Sequence, residues 1–260
     1  SRRRHTRLQG DWSSDVCSSD LGRGGDRVKR SKAYASASDA IKTTDLSSPV
    51  DAISAVKNVA FAKFDETVEV HFKLGIDPRH ADQQLRGTLV LPHGSGRSLS
   101  IAVLAPESYH KEAQDAGADY VGDDDLVEKI QSGWLDFDLL IATPDVMRKL
   151  GKLGKVLGSK GLMPNPKSGT VTKDVGSVVR EFKSGKIEYR NDKQGLIHVI
   201  IGKSSFGVEQ LYDNFVAIYQ TISKAKPAKS KGTYIQSVAV CSTMSPSMFV
   251  EPLESKWKER

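Results

Sequence analysis

The sequence predicts an α/β protein of two lobes: a split α/β sandwich domain made from both chain ends, and an inserted Rossmann-like domain with a parallel sheet. Three observations predict it. The middle of the chain alternates short apolar strands with helix-length segments, a βαβαβ order. The flanking segments share another pattern, amphipathic strands with one long helix each. Gly/Ser-rich stretches separate the two patterns twice. The boundaries expected are 26–93 plus 186–250 for the split domain and 94–185 for the inserted one, with a tail at 251–260 and a segment 1–25 outside the fold.

From Val50 a helical pattern runs through Ile53, Val56 and Ala60, and KFDETVEVHFKLG then switches to period two, with Val68, Val70, Phe72 and Leu74 on one face. GTLVLP at 87–92 reads as a second strand, expected to pair with the first. After the HGSGRS loop, SIAVLA (100–105), ADYV (118–121) and DLLIA (138–142) are buried-type strands of a parallel sheet. The helices between them are ESYHKEAQDAGA and DDDLVEKIQSG; the second aligns Leu126, Val127 and Ile130 and starts with three aspartates that complement the helix dipole. KDVGSVVREFK repeats Val175, Val178, Val179 and Phe182 at helical spacing and ends at Ser184-Gly185. The first pattern then returns, with strands KIEYR and LIHVII, a helix from Val208 to Ile222 through Leu211, Tyr212, Phe215 and Ile218, and the strand TYIQSVAVCST. Each flank is too short to fill a core alone, so the two are expected to join. The crossings at Gly94, Gly96 and Gly185 are the expected hinge.

At 260 residues with 38% hydrophobic content the chain can bury a sizeable core. No stretch approaches the ~18 consecutive apolar residues of a membrane span. Cys17 and Cys241 lie far apart and offer no disulfide framework. The net charge of +6 favours anionic partners, nucleic acid first and acidic membrane second. Residues 1–25 are rich in arginine and serine without the apolar core of a signal peptide; they read as a translated cloning or adapter segment, or else as a native basic arm.

Catalytic and nucleotide-binding readings find little support. GKSS at 202–205 lacks the preceding glycine of a phosphate loop, and HGSGRSL has Leu99 where a dinucleotide fingerprint needs its third glycine and precedes a strand. The six histidines form no HxxxH or carboxylate cluster, and neither cysteine has a metal-like neighbour, so no metal or cofactor is expected. Asp123, Asp124 and Asp125 point in different directions on a helix and read as helix-start charges. Glu66 and Glu69 near His71 imitate an acid–base pair, but residues 69 and 71 share what reads as a wet strand face.

Two cationic or polar surfaces remain. Between Asp145 and Asp174 stand seven cations and no carboxylate: Arg148, Lys149, Lys152, Lys155, Lys160, Lys167 and Lys173. Five glycines and two prolines in the same stretch argue against a regular helix over most of it, so it reads as a looped surface that needs an anionic partner. The second surface gathers Lys63, Phe64, Thr67, Glu69 and His71 at a strand start, and CSTMSPS is expected to leave Ser242, Thr243 and Met244 exposed near a turn. RNA recognition uses this mixture of apolar contact, hydroxyls and lysines.

At KFDETVEVHFKLGIDPRHADQQLRG, GADYVG, GWLDFDLLIATPDVM and above all LGSKGLMPNPKSGTVT, over roughly residues 50–250, the chain resembles the bacterial ribosomal protein L-one family. The resemblance implies a non-enzymatic, ribosome-bound protein of the cytoplasm or a plastid stroma. It would bind 23S-type large-subunit rRNA at the mobile stalk near the tRNA exit site, assist release of deacylated exit-site tRNA, and repress translation by binding its own operon mRNA. Carried over to this chain, the principal RNA contact comprises Lys63, Phe64, Thr67, Glu69, Ser237, Thr243, Met244 and Ser245. A secondary RNA or tRNA contact would use Arg148, Lys149, Lys152, Lys155, Lys160 and Lys167; the bland alternative is that MPNP and the glycines shape a packed loop with solvated lysines. Two departures stand out: Ser245 replaces the family's glycine and Ser159 its proline, which puts close RNA approach and local loop rigidity in question. A nucleotide-dependent enzyme built on the βαβ lobe and an off-ribosome RNA-binding regulator are the rival readings.

Overall fold

The structure is a computed structural model and describes residues 30–41, 46–228, 230 and 232–251. Residues 1–25, with Cys17, and the tail beyond Glu251 lie outside the described residues.

Helix α1 spans Lys32–Ala40 and α2 Pro49–Val59. Ser48 caps α2 by accepting from the Asp51 N–H at 3.2 Å, and Pro49 occupies the first turn, where its missing N–H costs nothing. Strand β1 (Thr67–Leu74) then runs through the centre of a four-stranded antiparallel sheet. It is flanked by β7 (Leu196–Lys203) on one side and β8 (Ile235–Ser242) on the other, with β9 (Met248–Val250) outside β8. Val68, Val70, Phe72 and Leu74 face inward against Ala52, Ile53 and Val56 of α2 and Leu211, Phe215, Ile218 and Ile222 of α8 (Val208–Lys224). Because β1 from the first flank lies between two strands of the second, neither flank can close this sheet alone.

The strand over 87–92 does not pair with β1. Strand β2 (Arg86–Val90) instead makes an antiparallel ribbon with β6 (Lys186–Arg190), Arg86 opposite Arg190 and Val90 opposite Lys186. Both edges of β1 are already taken, and the ribbon joins the two chain crossings. Alternation in the sequence identified the strand but carried no information on its partner.

In the inserted lobe, β3 (Ile101–Leu104) lies between β4 (Tyr120–Gly122) and β5 (Leu139–Ala142), all parallel. Ala102, Leu104, Leu140 and Ala142 face α4 (Asp124–Gln131) and the helical stretch after Val146. Ile101, Val103 and Ile141 face α3 (His110–Asp115) and α7 (Val175–Lys183). Helices on both faces explain why these strands read as unbroken apolar runs.

The cationic stretch is largely helical, against the expectation of a loop. α5 (Met147–Leu150) passes through a 3-10 turn at Gly151–Leu153 into α6 (Gly154–Lys160). Val146, Leu150, Leu153 and Leu157 recur at i, i+4, i+7 and i+11 and are all buried, and that stripe outweighs a helix cost of about 1 kcal/mol per glycine. The helix stops at Gly161, whose φ of 74° is left-handed. The following MPNPKSGT loop is braced internally: the Asn165 N–H donates to Thr170 Oγ1 at 2.8 Å, and the Asn165 side chain accepts from the Lys167 N–H at 2.8 Å.

The two crossings touch. A Cβ on Gly185 would lie 2.5 Å from the Cα of Gly94, and both residues have positive φ, 107° and 71°. Buried Asn214 of α8 ties the first crossing down, accepting from the His93 N–H at 3.1 Å and donating to the carbonyls of Gly94 at 3.0 Å and Ile201 at 2.8 Å.

Candidate nucleic-acid interface

Antiparallel pairing of β1 with β8 sets Val68 opposite Ser242, so the loop entering β1 and the turn leaving β8 meet at one end of the sheet. The Thr67 N–H donates to Thr243 Oγ1 at 3.0 Å, and the Thr243 hydroxyl donates back to the Thr67 carbonyl at 3.3 Å. Lys203, opposite Thr67 on β7, donates from Nζ to Thr67 Oγ1 at 2.9 Å. Phe64 and Met244 project from this framework 55% and 49% exposed, with Phe61 also exposed and Lys63 solvent-facing. Large apolar side chains left this open beside lysines and hydroxyls suit a stacking and backbone contact with RNA.

Glu66 holds the two halves together. Its carboxylate is buried and accepts from the Ser242 hydroxyl, from the Met244 N–H at 3.2 Å and from the Ala62 N–H at 2.9 Å. Burial opposes its ionisation, but the donors of Ser242, Ala62, Met244 and Phe61 together outweigh it and hold the carboxyl below its ordinary value. Asp65 is held low chiefly by the hydroxyls of Ser205 and Ser204, which bond its two oxygens at 2.8 Å each.

The predicted residues are not all brought together. Phe64, Thr67, Thr243, Met244 and Ser245 cluster at this end, with Glu69 one step along the outward face of β1 opposite Cys241. Ser237 stands opposite Lys73 toward the far end of the sheet, five residues from Ser242 along β8 and so about 17 Å away. Ser242, expected to be exposed, is buried because its hydroxyl is needed by Glu66. Ser245 turns its side chain inward: its Oγ lies 2.6 Å from Ser242 Oγ and accepts the Ser242 N–H at 3.2 Å. Serine here braces the turn from within.

Sequence reasoning missed Glu66, Lys203 and Phe61 as parts of this surface. For Glu66 the signal was present: position 66 is in phase with Val68, Val70, Phe72 and Leu74, so a carboxylate there falls on the buried face. Lys203 gave no local sign, since only the β1–β7 register delivers it to Thr67.

In the inserted lobe, Lys149 is not without counter-acids. It bonds Asp124 at 2.6 Å and Asp123 at 2.9 Å, and these raise its pKa above the ordinary lysine value. Two of the three aspartates at the start of α4 therefore converge on one lysine. Arg148, Lys152, Lys155, Lys160 and Lys167 are exposed, and among the described residues no carboxylate pairs with them. Lys167 also lines a cleft with Arg86, Arg190, Lys193 and Asp192, where the Arg86 guanidinium bonds Glu188.

The model of a family described as the ribosomal protein L1p/L10e family matches residues 56–246, well over half of the chain. The match spans every part of the interface from Phe61 to Ser245. The chain belongs to this family. L1p/L10e membership makes it an RNA-binding, structural component of the large ribosomal subunit rather than an enzyme. The two-lobed mixed α/β architecture agrees with that assignment. Among the described residues no helix is long and apolar enough to cross a membrane, and no group of three or more His, Cys, Asp or Glu side chains could hold a metal ion.

Proposed function

We propose that the split lobe fixes this protein to 23S-type rRNA at the mobile stalk of the large subunit, near the tRNA exit site, through Lys63, Phe64, Thr67, Glu69, Thr243 and Met244, with Ser245 bracing the turn from behind. The observation that carries this reading is the exposure of Phe64 and Met244 on a scaffold of reciprocal hydrogen bonds between Thr67 and Thr243. A rigid apolar platform flanked by lysines can stack on unpaired bases at low entropic cost. The same surface would serve for the protein's own mRNA, folded to a similar shape. Ser237 falls outside this set on its distance from Ser242.

The exposed cations Arg148, Lys152, Lys155, Lys160 and Lys167 give the inserted lobe a secondary RNA contact, assigned here to deacylated exit-site tRNA. Lys149, neutralised by two aspartates, contributes less. The lobe would swing about the crossings at Gly94, Gly96 and Gly185 as the stalk moves, with 26–93 plus 186–250 and 94–185 as the two bodies.

The test is binding of the full chain to a stalk rRNA fragment and to a scrambled hairpin across a salt series. Affinity for the fragment falls with a log–log slope of about −0.7 to −0.9 per phosphate neutralised. Phe64→Ala weakens it, whereas Lys152→Glu with Lys155→Glu leaves it nearly unchanged and impairs tRNA release. A slope near zero, or equal losses in the two variants, overturns this division.

A further inference from the structure

On the sheet face turned away from α2 and α8, three side chains from three adjacent strands form a row: His198 on β7, His71 on β1 and Cys241 on β8. The register places His71 opposite His198 and Glu69 opposite Cys241. Nε2 of His71 lies 3.0 Å from Cys241 Sγ, and Nδ1 of His71 lies 2.7 Å from Nδ1 of His198. A neutral imidazole donates from one ring nitrogen and accepts at the other. When the thiol donates to His71 Nε2, His71 must therefore donate from Nδ1 to His198.

Burial, reinforced by the neighbouring His198, pushes the His71 imidazole down to about 4, so this ring stays neutral near neutral pH. Acting alone it would be a poor base for a thiol. His198, by contrast, is exposed. A proton leaving Sγ enters His71 at Nε2 while the Nδ1 proton passes to His198, so the positive charge comes to rest on the solvated ring and the buried ring is never charged.

We propose that Cys241 is a modification site, a thiol deprotonated through His71 to His198 and attacked by hydroperoxides, and that its oxidation controls RNA attachment at the adjoining Glu69 and Thr243. The second half rests on the reading of the split lobe as the RNA-binding surface. In the step itself the thiolate sulfur attacks one oxygen of hydrogen peroxide. The S–O bond forms, the O–O bond breaks, sulfur gives up two electrons, and the departing hydroxide takes the proton held at His198 and leaves as water. The product is a sulfenic acid one residue from Ser242, which bonds Glu66, and two from Thr243, which bonds Thr67. An added oxygen there competes for the donors that shape the turn. Among the described residues of the sheet, Glu69 on this face opposes the thiolate, Lys73 and Lys203 favour it, and β9 contributes Phe249.

The experiment uses the full chain in a Cys17→Ser background, so that Cys241 is the single thiol. Alkylation by iodoacetamide is followed against pH, and sulfenic acid formed with hydrogen peroxide is trapped by dimedone. Cys241 titrates below the ordinary thiol value of about 8.5, and the exposed-site variant His198→Gln moves it back and slows sulfenic acid formation about tenfold. Titration at or above the ordinary value, unaltered by His198→Gln, overturns the site; His71→Gln with an unchanged circular dichroism spectrum gives a second check. In the RNA arm, peroxide treatment weakens binding to the stalk rRNA fragment at least about tenfold in the Cys241 protein and leaves Cys241→Ser unaffected. Unchanged affinity after complete sulfenylation overturns the control of attachment, whereas failure of the unmodified protein to bind the fragment sinks the RNA reading and leaves the alkylation result standing.

Discussion

Replacing Glu66 by glutamine keeps the side chain's volume and removes its charge. The buried carboxylate receives Ser242 and Met244 on Oε2 and Ala62 on Oε1, whereas glutamine offers one acceptor oxygen and turns an NH2 group toward the remaining donors. Hydrogen bonds to a charged acceptor contribute about 1.5–3 kcal/mol each. With the amide oxygen in the Oε2 place the Ala62 bond is lost and the two that remain go to a neutral acceptor, so stability falls by about 1–3 kcal/mol after the relief of no longer burying a charge. The pH dependence has a fixed sign. The folded carboxyl ionises below its unfolded value, so its contribution is complete above the ordinary carboxylate pKa of about 4.3 and is lost as pH falls through the folded value. Urea unfolding of wild type and Glu66→Gln at a series of pH values therefore gives a difference that is largest near neutrality and shrinks in acid. Affinity for the stalk rRNA fragment falls as well, because the loop bearing Phe64 and the turn bearing Met244 are no longer locked to one another. A stability difference below about 0.5 kcal/mol that does not vary with pH would refute the role given to this carboxylate.

Three further outcomes follow from the geometry. Gly185→Ala must place a methyl group 2.5 Å from Gly94 Cα at a φ of 107°, so its unfolding midpoint falls by an amount equivalent to about 2 kcal/mol or more, with faster proteolysis at the crossings. Gly158→Ala, whose Cβ would meet nothing within 4 Å on an exposed turn of α6, raises thermal stability by up to about 1 kcal/mol, and a destabilised protein would contradict the helix over 154–160. Asn214→Leu leaves the His93 N–H and the carbonyls of Gly94 and Ile201 without this partner, costs about 3 kcal/mol in chemical unfolding, and speeds amide exchange in the first crossing.

How much of this was legible in the sequence depended on whether the information was local. The inward row of β1 and the two-sided burial of β3 and β5 were readable, because period two and unbroken apolar runs report burial directly. The partner of β2 was not, since alternation fixes which face is wet and leaves open which strand lies alongside. In the 147–160 helix the glycines drew the eye while Val146, Leu150, Leu153 and Leu157 settled the outcome; the stripe was in the sequence, but the weight given to glycine hid it. The local charge count failed in the same segment for a different reason: Lys149 finds its acids 25 and 26 residues upstream, across a turn of the fold. The interface shows both limits together. Phe64 and Thr67 were identifiable at the strand start, yet what makes them a surface is Glu66, a carboxylate on the buried phase of β1 whose donors lie four residues before it and up to 178 residues after it. A binding site built across a split lobe has to be joined by such a group. A charged residue in phase with an apolar row is therefore the feature in this sequence that most directly anticipates where the two flanks meet.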